Sequence, residues 1–203
     1  IPQPFFIEDS GITFAYARNL VQGDGLVSYP GGERVEGYSN PTWTFLLAAL
    51  YALGAEPWSS AKVLGAIFGV ITLPLAYGLV RRARPATEEG DRPLADVALL
   101  APLMLALNPQ FVIWNASGLE NSLFCVLLSA GLYQLVVEAE DEGRGAFPWS
   151  ALWFTLLAMT RPEGITYGVL ALGASVVTAA QRRKPLRLLG WVLMFLVPFA
   201  AYQ

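Results

Sequence analysis

The chain has 203 residues, of which 55% are hydrophobic and 14% charged, with a formal net charge of −3. Soluble globular domains usually carry about 25% charged residues, so this composition excludes an ordinary soluble domain and predicts a polytopic membrane protein. A hydrocarbon core about 30 Å thick takes about 20 residues per helix. The length therefore suffices for several spans in one bundle, and not for a second soluble domain.

The types of residue present narrow the chemistry. The sequence has no histidine and a single cysteine, Cys125, which excludes a disulfide within this sequence and is expected to pack as a small hydrophobic residue. Acid–base chemistry then falls to carboxylates, because the commonest general base is missing. The basic residues stand in short clusters at the ends of apolar runs rather than along an aromatic-rich face, so we predict no nucleic-acid binding.

A polar stretch, residues 5–43, differs from the rest of the chain in its acids, amides, glycines and aromatic residues. Glu8, Asp9 and Ser10 precede a helical pattern of about four turns that ends at Gly23. The positions in this pattern are Ile12, Ala15, Tyr16, Asn19 and Leu20. This segment is too short and too polar to cross a bilayer, so we expect an amphipathic helix at the membrane surface, with Phe14 and Tyr16 in the interface.

The chain then turns towards the bilayer. The glycines and Pro30 between residues 23 and 37 predict a loop, and Pro41 predicts the start of a helix with Trp43 at the interface. We assign residues 1–43 to a first extracytoplasmic loop with its juxtamembrane helix, and residues 44–203 to an all-α transmembrane bundle. Since Ile1 is not an initiator methionine and the last apolar run stops abruptly, we expect a domain truncated at both ends.

Seven apolar runs make up the predicted bundle: residues 44–54, 60–80, 97–114, 119–137, 149–160, 165–180 and 188–202. Several are shorter than a bilayer requires and end in charged motifs. Irregular or charged backbone at membrane depth is tolerated where it lines a cavity. We therefore expect these motifs to dip into a cavity.

The basic residues predict the orientation through the positive-inside rule. Nine of the 13 lie in three loops that we assign to the cytoplasm: Arg81, Arg82, Arg84, Arg92, Arg144, Arg182, Arg183, Lys184 and Arg187. Residues 5–43, 115–120 and 161–164 then face outward. Residue 40 is assigned outside and residue 81 inside, so an odd number of crossings must separate them, yet two apolar runs lie between. We therefore expect residues 44–54 to form an in-plane or half-inserted helix on the outer side. A different number of spans is the alternative.

Two adjacent acids, Glu8 and Asp9, are the first candidates for catalysis. A carboxylate in a pocket that excludes water can act as a general base, because burial tunes its pKa. The alternative is that Asp9 or Ser10 is simply the N-cap of the following helix. The two roles are compatible.

Three further charged residues and one loop are candidate site residues. Glu120 opens an apolar run after Ser117 and Gly118, and Arg161 and Glu163 interrupt another. Ionisable groups near membrane depth usually face a cavity or a partner, although Glu120 could be a helix N-terminal charge and the other two a local ion pair. The loop at residues 31–41 offers donors, acceptors and aromatic groups for a hydroxyl-rich ligand, or is an ordinary solvated loop.

Four motifs in order carry a family resemblance: EDSGITFAYARNLVQGDGL, GERVEGYSNPTWTFLLA, SGLENSLF and TRPEG. Together they resemble the GT-C superfamily of integral-membrane glycosyltransferases, close to protein-mannosyltransferases, aminoarabinose transferases and arabinofuranosyltransferases. The resemblance runs from about residue 5 to residue 164. It implies a transmembrane bundle whose first outer loop carries juxtamembrane helices over a lipid-facing cavity.

The resemblance also implies roles for individual residues. Asp9 corresponds to the catalytic base with Glu8 beside it, and Glu120 to a second acid that lines the site. Tyr38, Ser39 and Asn40 lie where relatives place residues near the donor phosphate. This chain lacks the lysine that some relatives have there. We therefore expect Arg161, with Glu163 beside it, to supply the cationic contact to the phosphate, and Arg34 and Arg18 are the next candidates.

The expected reaction moves a sugar from a polyprenyl-phosphate donor to an acceptor hydroxyl on a glycan, lipid or protein, with inversion at the anomeric carbon. No cofactor is required. A divalent cation could share the Asp9 site, but without histidine or a carboxylate trio we predict no metal. We expect the enzyme in the bacterial plasma membrane, with its site facing the extracytoplasmic side.

Two other functions are compatible with the sequence. Transporters and lipid-handling proteins also have short, Gly- and Pro-interrupted spans with intramembrane acids. They place ionisable groups near the midplane within repeats, whereas here these groups gather on one face and no internal repeat is found. A pseudoenzyme or assembly subunit would keep the bundle without activity, which an intact Asp9 disfavours.

Overall fold

The computed structural model describes residues 7–35, 37–83, 97–140, 147–182 and 185–202. All regular structure in these ranges is helical, as nine helices without a strand. The helices are α1 Ser10–Gln22, α2 Pro41–Ala52, α3 Pro57–Arg82, α4 Leu100–Leu107, α5 Pro109–Asn115, α6 Asn121–Glu140, α7 Trp149–Ala158, α8 Glu163–Arg182 and α9 Pro185–Tyr202. The predicted all-α class is confirmed for the described part of the chain.

Three helices are long and apolar enough to cross a membrane. These are α3, α6 and α8, with 26, 20 and 20 residues. At 1.5 Å per residue even the two shorter ones reach about 30 Å, the thickness of a hydrocarbon core. The predicted long apolar helices at residues 60–80, 119–137 and 165–180 are therefore confirmed.

Three apolar helices are shorter: α2, α7 and α9. Pro41 occupies the first turn of α2, as predicted, where its missing N–H costs no helical hydrogen bond. With 12 residues α2 extends only about 18 Å. Its in-plane or half-inserted position relative to a bilayer stays a prediction.

The predicted span at residues 97–114 is wrong as a single helix. It is broken at Asn108, whose φ of −79° and ψ of 113° are extended, into α4 and α5. The cause is Pro109, since the residue before a proline avoids the helical region and proline favours the first position of a new helix. Asn108 then caps α5, as its side-chain oxygen accepts hydrogen bonds from the backbone N–H groups of Gln110 (2.9 Å) and Phe111 (3.4 Å).

The predicted first helix is confirmed, its aromatic residues are covered by protein, and its position at a membrane surface stays a prediction. Helix α1 ends at Gly23, which adopts the left-handed φ of 94°. Phe14 and Tyr16 are only 7% and 1% exposed, so other parts of the protein cover both side chains. Because α1 packs against α2, protein covers its apolar face, and the Tyr16 hydroxyl donates to the Val35 carbonyl at 2.9 Å.

The helices pack around α6, with α3 running parallel to it and α7 antiparallel. Helix α6 packs against α3 and α7, and α7 in turn contacts α8 and α9. The core between them includes Trp43, Phe154, Leu157 and Trp191, each at most 1% exposed. An ion pair between Arg82 and Glu140 brings the last residues of α3 and α6 together.

Charged groups of the described residues collect at the two ends of this bundle. We call the start of α6, together with residues 7–9, 115–120 and 158–163, the Glu120 end. The end of α6, with the ends of α3 and α8 and the starts of α7 and α9, is the Glu138 end. Arg81, Arg82, Arg182 and Arg187 lie at the Glu138 end, whereas Arg84, Arg92, Arg144, Arg183 and Lys184 fall outside the described residues.

A buried polar cluster at the Glu138 end joins three helices. The carboxylate of Glu138 is 6% exposed and accepts hydrogen bonds from the backbone N–H (2.8 Å) and hydroxyl (2.6 Å) of Ser150. Trp191 donates its indole N–H to the same hydroxyl at 3.0 Å, and Arg187 lies 3.6 Å from Glu138. The cluster thus connects α6, α7 and α9.

Candidate active site

Glu120 is the centre of a polar network at the opposite end of α6. Glu120 is 5% exposed and directly precedes the first residue of α6. One carboxylate oxygen accepts a hydrogen bond from the Asn40 amide at 2.7 Å. The other accepts one from the Arg161 guanidinium at 2.9 Å. Three residues that the sequence predicted for the site, far apart in the chain, are therefore in direct contact.

Asn40 positions Glu120 through hydrogen bonds that also reach α1 and α2. It is 5% exposed, and its side chain also exchanges hydrogen bonds with the Thr13 hydroxyl at 3.1 and 3.2 Å. The Thr44 hydroxyl donates to its side-chain oxygen at 3.1 Å. Asn40 thus connects α1 and α2 to the carboxylate, and it orients Glu120 rather than bordering open space.

Arg161 is bound by acceptors on two sides. Nη1 donates to Glu120 and, at 3.3 Å, to Asn121, while Nε and Nη2 form a fork with the Glu163 carboxylate at 3.3 and 3.2 Å. A guanidinium has five N–H donors, so one N–H of Nη2 has no acceptor among the described residues. The hydrogen bond to Glu163, together with the nearby charge of Glu120, raises the pKa of Arg161, and the group stays cationic.

A cavity of about 660 Å³ opens beside this network. Its polar lining consists of Asp9, Gln110, Asn115, Asn121, Arg161 and Glu163. Its apolar and aromatic lining consists of Phe111, Trp114, Leu119, Phe124, Cys125 and Tyr167. Amide, charged and aromatic groups on one concave surface are the usual equipment of a site for a polar ligand with an apolar part.

Asp9 occupies the N-cap position of α1, as one alternative predicted, and borders the cavity. Asp9 is exposed, and its side chain makes no capping hydrogen bond to α1. The neighbouring Ser10 hydroxyl donates backwards to the Ile7 carbonyl at 2.7 Å, and the Ile7 N–H donates to the Ser117 carbonyl at 3.4 Å. The segment before α1 is thereby attached to the turn before α6, which places Asp9 at the cavity wall.

The other predicted residues lie elsewhere. Glu8 is exposed and does not line the cavity. Arg18 pairs with Glu56 at 2.9 Å on the surface. Arg34 and Ser39 are exposed on the loop before α2. Tyr38 is buried against Tyr16, with ring centroids 4.8 Å apart.

Much of the cavity wall escaped the sequence analysis. Gln110, Phe111, Trp114 and Asn115 belong to α5, whose existence follows from the Asn108–Pro109 break. That dipeptide inside an apolar run was the available signal. Helix α5 approaches α3 closely, since a Cβ on Gly69 would come within 2.5 Å of the Asn115 side chain.

Cys125 and Lys62 also lie closer to the site than their sequence context indicated. Cys125, expected to pack as a small hydrophobic residue, is partly buried and borders the cavity. Lys62, in the first turns of α3, donates to the Ala116 carbonyl in the turn before α6.

The charged groups of the site are mostly negative. Asp9, Glu120 and Glu163 supply three carboxylates, and Arg161 supplies one guanidinium. In the part of the chain that the structure describes, no three acidic, cysteine or histidine side chains are grouped closely enough to hold a metal ion. The site can bind neutral hydroxyl groups through its amides and carboxylates, and Asp9 can accept a proton from one of them.

Comparisons with models of known protein families, with curated proteins and with solved structures find no match for this chain. A function for the protein is therefore argued from the site itself.

Proposed function

We propose that the protein is a polytopic membrane glycosyltransferase of the GT-C type, which moves a sugar from a polyprenyl-phosphate donor to an acceptor hydroxyl. The observation that carries the proposal is the single cavity bordered by Asp9, Arg161 and Glu163, with Glu120 directly behind Arg161. These residues come from three separate motifs of the resemblance. Their convergence on one concave surface is what a shared catalytic role requires.

The proposed orientation places the Glu120 end on the extracytoplasmic side of a bacterial plasma membrane. Four arginines collect at the Glu138 end, which the positive-inside rule assigns to the cytoplasm. The aromatic wall of the cavity and the adjoining exposed apolar residues of α4 and α5 then face the outer half of the bilayer. A lipid-linked donor enters the cavity laterally from that leaflet.

Asp9 acts as the general base in this proposal. Its carboxylate takes the proton of the acceptor hydroxyl while the hydroxyl oxygen attacks the anomeric carbon, and the bond from that carbon to the phosphate oxygen breaks. The polyprenyl phosphate leaves with the electron pair of the broken bond. A single displacement inverts the anomeric centre.

Arg161 contributes to binding the donor phosphate. Its fork with Glu163 and its contact with Glu120 fix the guanidinium plane, and one N–H of Nη2 remains for a phosphate oxygen. A cation held in place before reaction stabilises the developing charge on the leaving group without reorganising. Gln110, Asn115 and Asn121 supply amide groups for sugar hydroxyls.

Transport without catalysis is the alternative function. A transporter needs ionisable groups near the middle of its spans, whereas Glu120, Arg161 and Glu163 stand at or just before the first residues of α6 and α8. This placement favours a site at one membrane face. Catalysis there explains the exposed carboxylate of Asp9 better than passage through the bundle does.

Sugar transfer tests the proposal. Membranes that contain the full-length protein are offered radiolabelled polyprenyl-phosphate sugars one at a time, at matched expression levels. We expect transfer from one donor, reduced about 100-fold or more by Asp9→Asn, since a general base contributes a factor of about 10² to 10⁴. Asp24→Asn, an exposed acid beyond the end of α1, is the matched control and should transfer normally.

Glu8→Gln separates the two adjacent acids. We expect it to retain transfer, because Glu8 does not line the cavity. Loss of transfer in Glu8→Gln with retention in Asp9→Asn would move the base to Glu8 and contradict the assignment. No transfer from any donor by the wild-type protein would contradict the enzyme proposal and favour the transporter.

A further inference from the structure

A second cavity lies between α3 and α6 at the Glu138 end. It has a volume of about 470 Å³ and is lined by Tyr77, Gly78, Arg81, Arg82 and Tyr133. Two arginines and two tyrosines therefore border one opening, and none of the described residues that line it is acidic. Nothing in the proposed transfer reaction uses these residues.

Each arginine in this cavity stands over a tyrosine ring. The Arg81 guanidinium carbon lies 5.8 Å from the Tyr77 ring centroid, and that of Arg82 lies 5.1 Å from the Tyr133 ring centroid. Cation–π contacts at exposed sites are weak, so they favour these positions of the guanidinium groups without fixing them. The two cations are thus arranged around the opening rather than spread over the surface.

The two arginines differ in their other partners. Arg82 forms an ion pair with Glu140 at the end of α6. Among the described carboxylates, none lies within ion-pair distance of Arg81. Within the described part of the chain, the cavity therefore has one cation in excess, on the side of Arg81.

In the proposed orientation, this cavity lies at the cytoplasmic end of α3. Lys62 touches the turn at the Glu120 end, and Arg81 is 19 residues further along the same helix. At 1.5 Å per residue the two charges are about 28 Å apart, close to the thickness of a hydrocarbon core. If Lys62 lies at one interface, the Arg81 cavity lies at the other, where tyrosine rings are favoured.

We propose that this cavity binds the phosphodiester headgroup of an anionic phospholipid. Arg81 supplies the positive charge, and Arg82 supplies further N–H donors to the phosphate oxygens. The tyrosine rings contact the glycerol region of the lipid. Basic pockets between membrane helices are suited to anionic headgroups, and each basic residue near the surface contributes about 1 kcal/mol, or about fivefold in affinity.

Gly78 keeps this opening between the helices. A Cβ at that position would come within 2.9 Å of the Tyr133 ring, so a larger residue would push the ring out of place. The two tyrosines and the glycine therefore define the shape of the cavity, and the arginines its charge.

Native mass spectrometry of the purified full-length protein tests the proposal independently of sugar transfer. Phosphatidylglycerol, phosphatidylcholine and inorganic phosphate are titrated separately, and bound molecules are counted. The variants are Arg81→Gln, Arg81→Lys and, as a control with the same loss of charge at the same end of the bundle, Arg182→Gln. Arg81 and Arg182 are exposed, so none of these changes removes core packing.

We expect phosphatidylglycerol to bind more tightly than phosphatidylcholine, and Arg81→Gln to weaken its first binding step about fivefold. Arg81→Lys should restore most of the affinity, and Arg182→Gln should leave it unchanged. Equal binding of the two lipids, or equal weakening by Arg182→Gln, would overturn the proposal. Displacement of the lipid by millimolar inorganic phosphate would replace the lipid site with a site for free phosphate.

Discussion

Glu120 and Glu138 are buried carboxylates at opposite ends of α6, and their surroundings differ in one decisive respect. Each is about 95% buried and each has an arginine beside it: Glu120 is 5% and Glu138 6% exposed. The network of Glu120 borders a cavity of about 660 Å³, whereas the space beside Glu138 is about 30 Å³. The first can accommodate a ligand, and the second has room for about one water molecule.

The difference extends to the arginines. The Arg161 side chain is 34% exposed and has one N–H without an acceptor among the described residues, while the Arg187 side chain is 13% exposed. Nη2 of Arg187 is buried without a hydrogen-bond partner among the described residues. Similar groups thus produce an open site at one end and a closed connection between helices at the other. We infer that the adjoining open cavity, rather than the presence of a buried acid, distinguishes the candidate site at Glu120 from the structural cluster at Glu138.

The largest expected contrast comes from matched substitutions of the two acids. Glu120→Gln and Glu138→Gln each remove charge-assisted hydrogen bonds, so we expect both to lower the free energy of unfolding by about 1.5 to 3 kcal/mol. Only Glu120→Gln should reduce sugar transfer per folded molecule, by about 100-fold, because a displaced Arg161 misplaces the donor. Unfolding in mixed detergents and transfer assays measure the two effects.

Equal losses of transfer in both variants would show that the acids act only through stability. Retained transfer in Glu120→Gln would remove the network from the site. Either outcome would abolish the distinction between the two ends.

Arg161→Lys tests whether the geometry of the open site matters beyond its charge. Lysine cannot replace a planar fork that binds Glu163 and also reaches Glu120 and Asn121. We expect transfer to fall about tenfold. Arg34→Lys, on an exposed loop, is the control and should behave as wild type; full transfer in Arg161→Lys would reduce Arg161 to a point charge.

Asn108→Ala tests the helix break that forms the aromatic wall. The Asn108 side chain caps α5, and loss of an N-cap typically costs about 1 kcal/mol. We expect a decrease of that size in the free energy of unfolding, with a smaller loss of transfer than for Arg161→Lys. Asn108→Asp should retain the cap, and equal destabilisation by Asp and Ala would contradict the capping role.

Arg18→Gln should have the smallest effect. Arg18 pairs with Glu56 in solvent, with side chains 45% and 60% exposed, and such pairs contribute about 0 to 1 kcal/mol. We expect unchanged transfer and a free energy of unfolding within about 0.5 kcal/mol of wild type. A large loss of transfer would place Arg18 in the site, as the resemblance implies, and would extend the site beyond the cavity.

The helices were predictable because their causes are local. Apolar length predicts α3, α6 and α8, and Gly23 and Pro41 mark the end of α1 and the start of α2. The break at Asn108–Pro109 is also local, yet an apolar run of suitable length concealed it.

The site was predictable only as a set of candidates. Asp9, Arg161 and Glu163 were recognised as charged residues in an apolar chain, and they line one cavity. The contact of Asn40 with Glu120 joins residues 80 positions apart. It depends on how α1 and α2 pack against the bundle, which no local pattern encodes, and for the same reason the burial of Tyr16 was missed.

Labelling of Cys125 is the measurement that tests the central claim most directly. This thiol borders the cavity, so in a full-length protein without other cysteines a charged, membrane-impermeant thiol reagent reports whether the cavity is open and occupied. We predict that the reagent labels Cys125 from the extracytoplasmic side and that the donor identified by the transfer assay slows labelling about tenfold or more. Labelling at the same rate with and without a donor that the enzyme turns over would contradict the claim that this cavity is the substrate site.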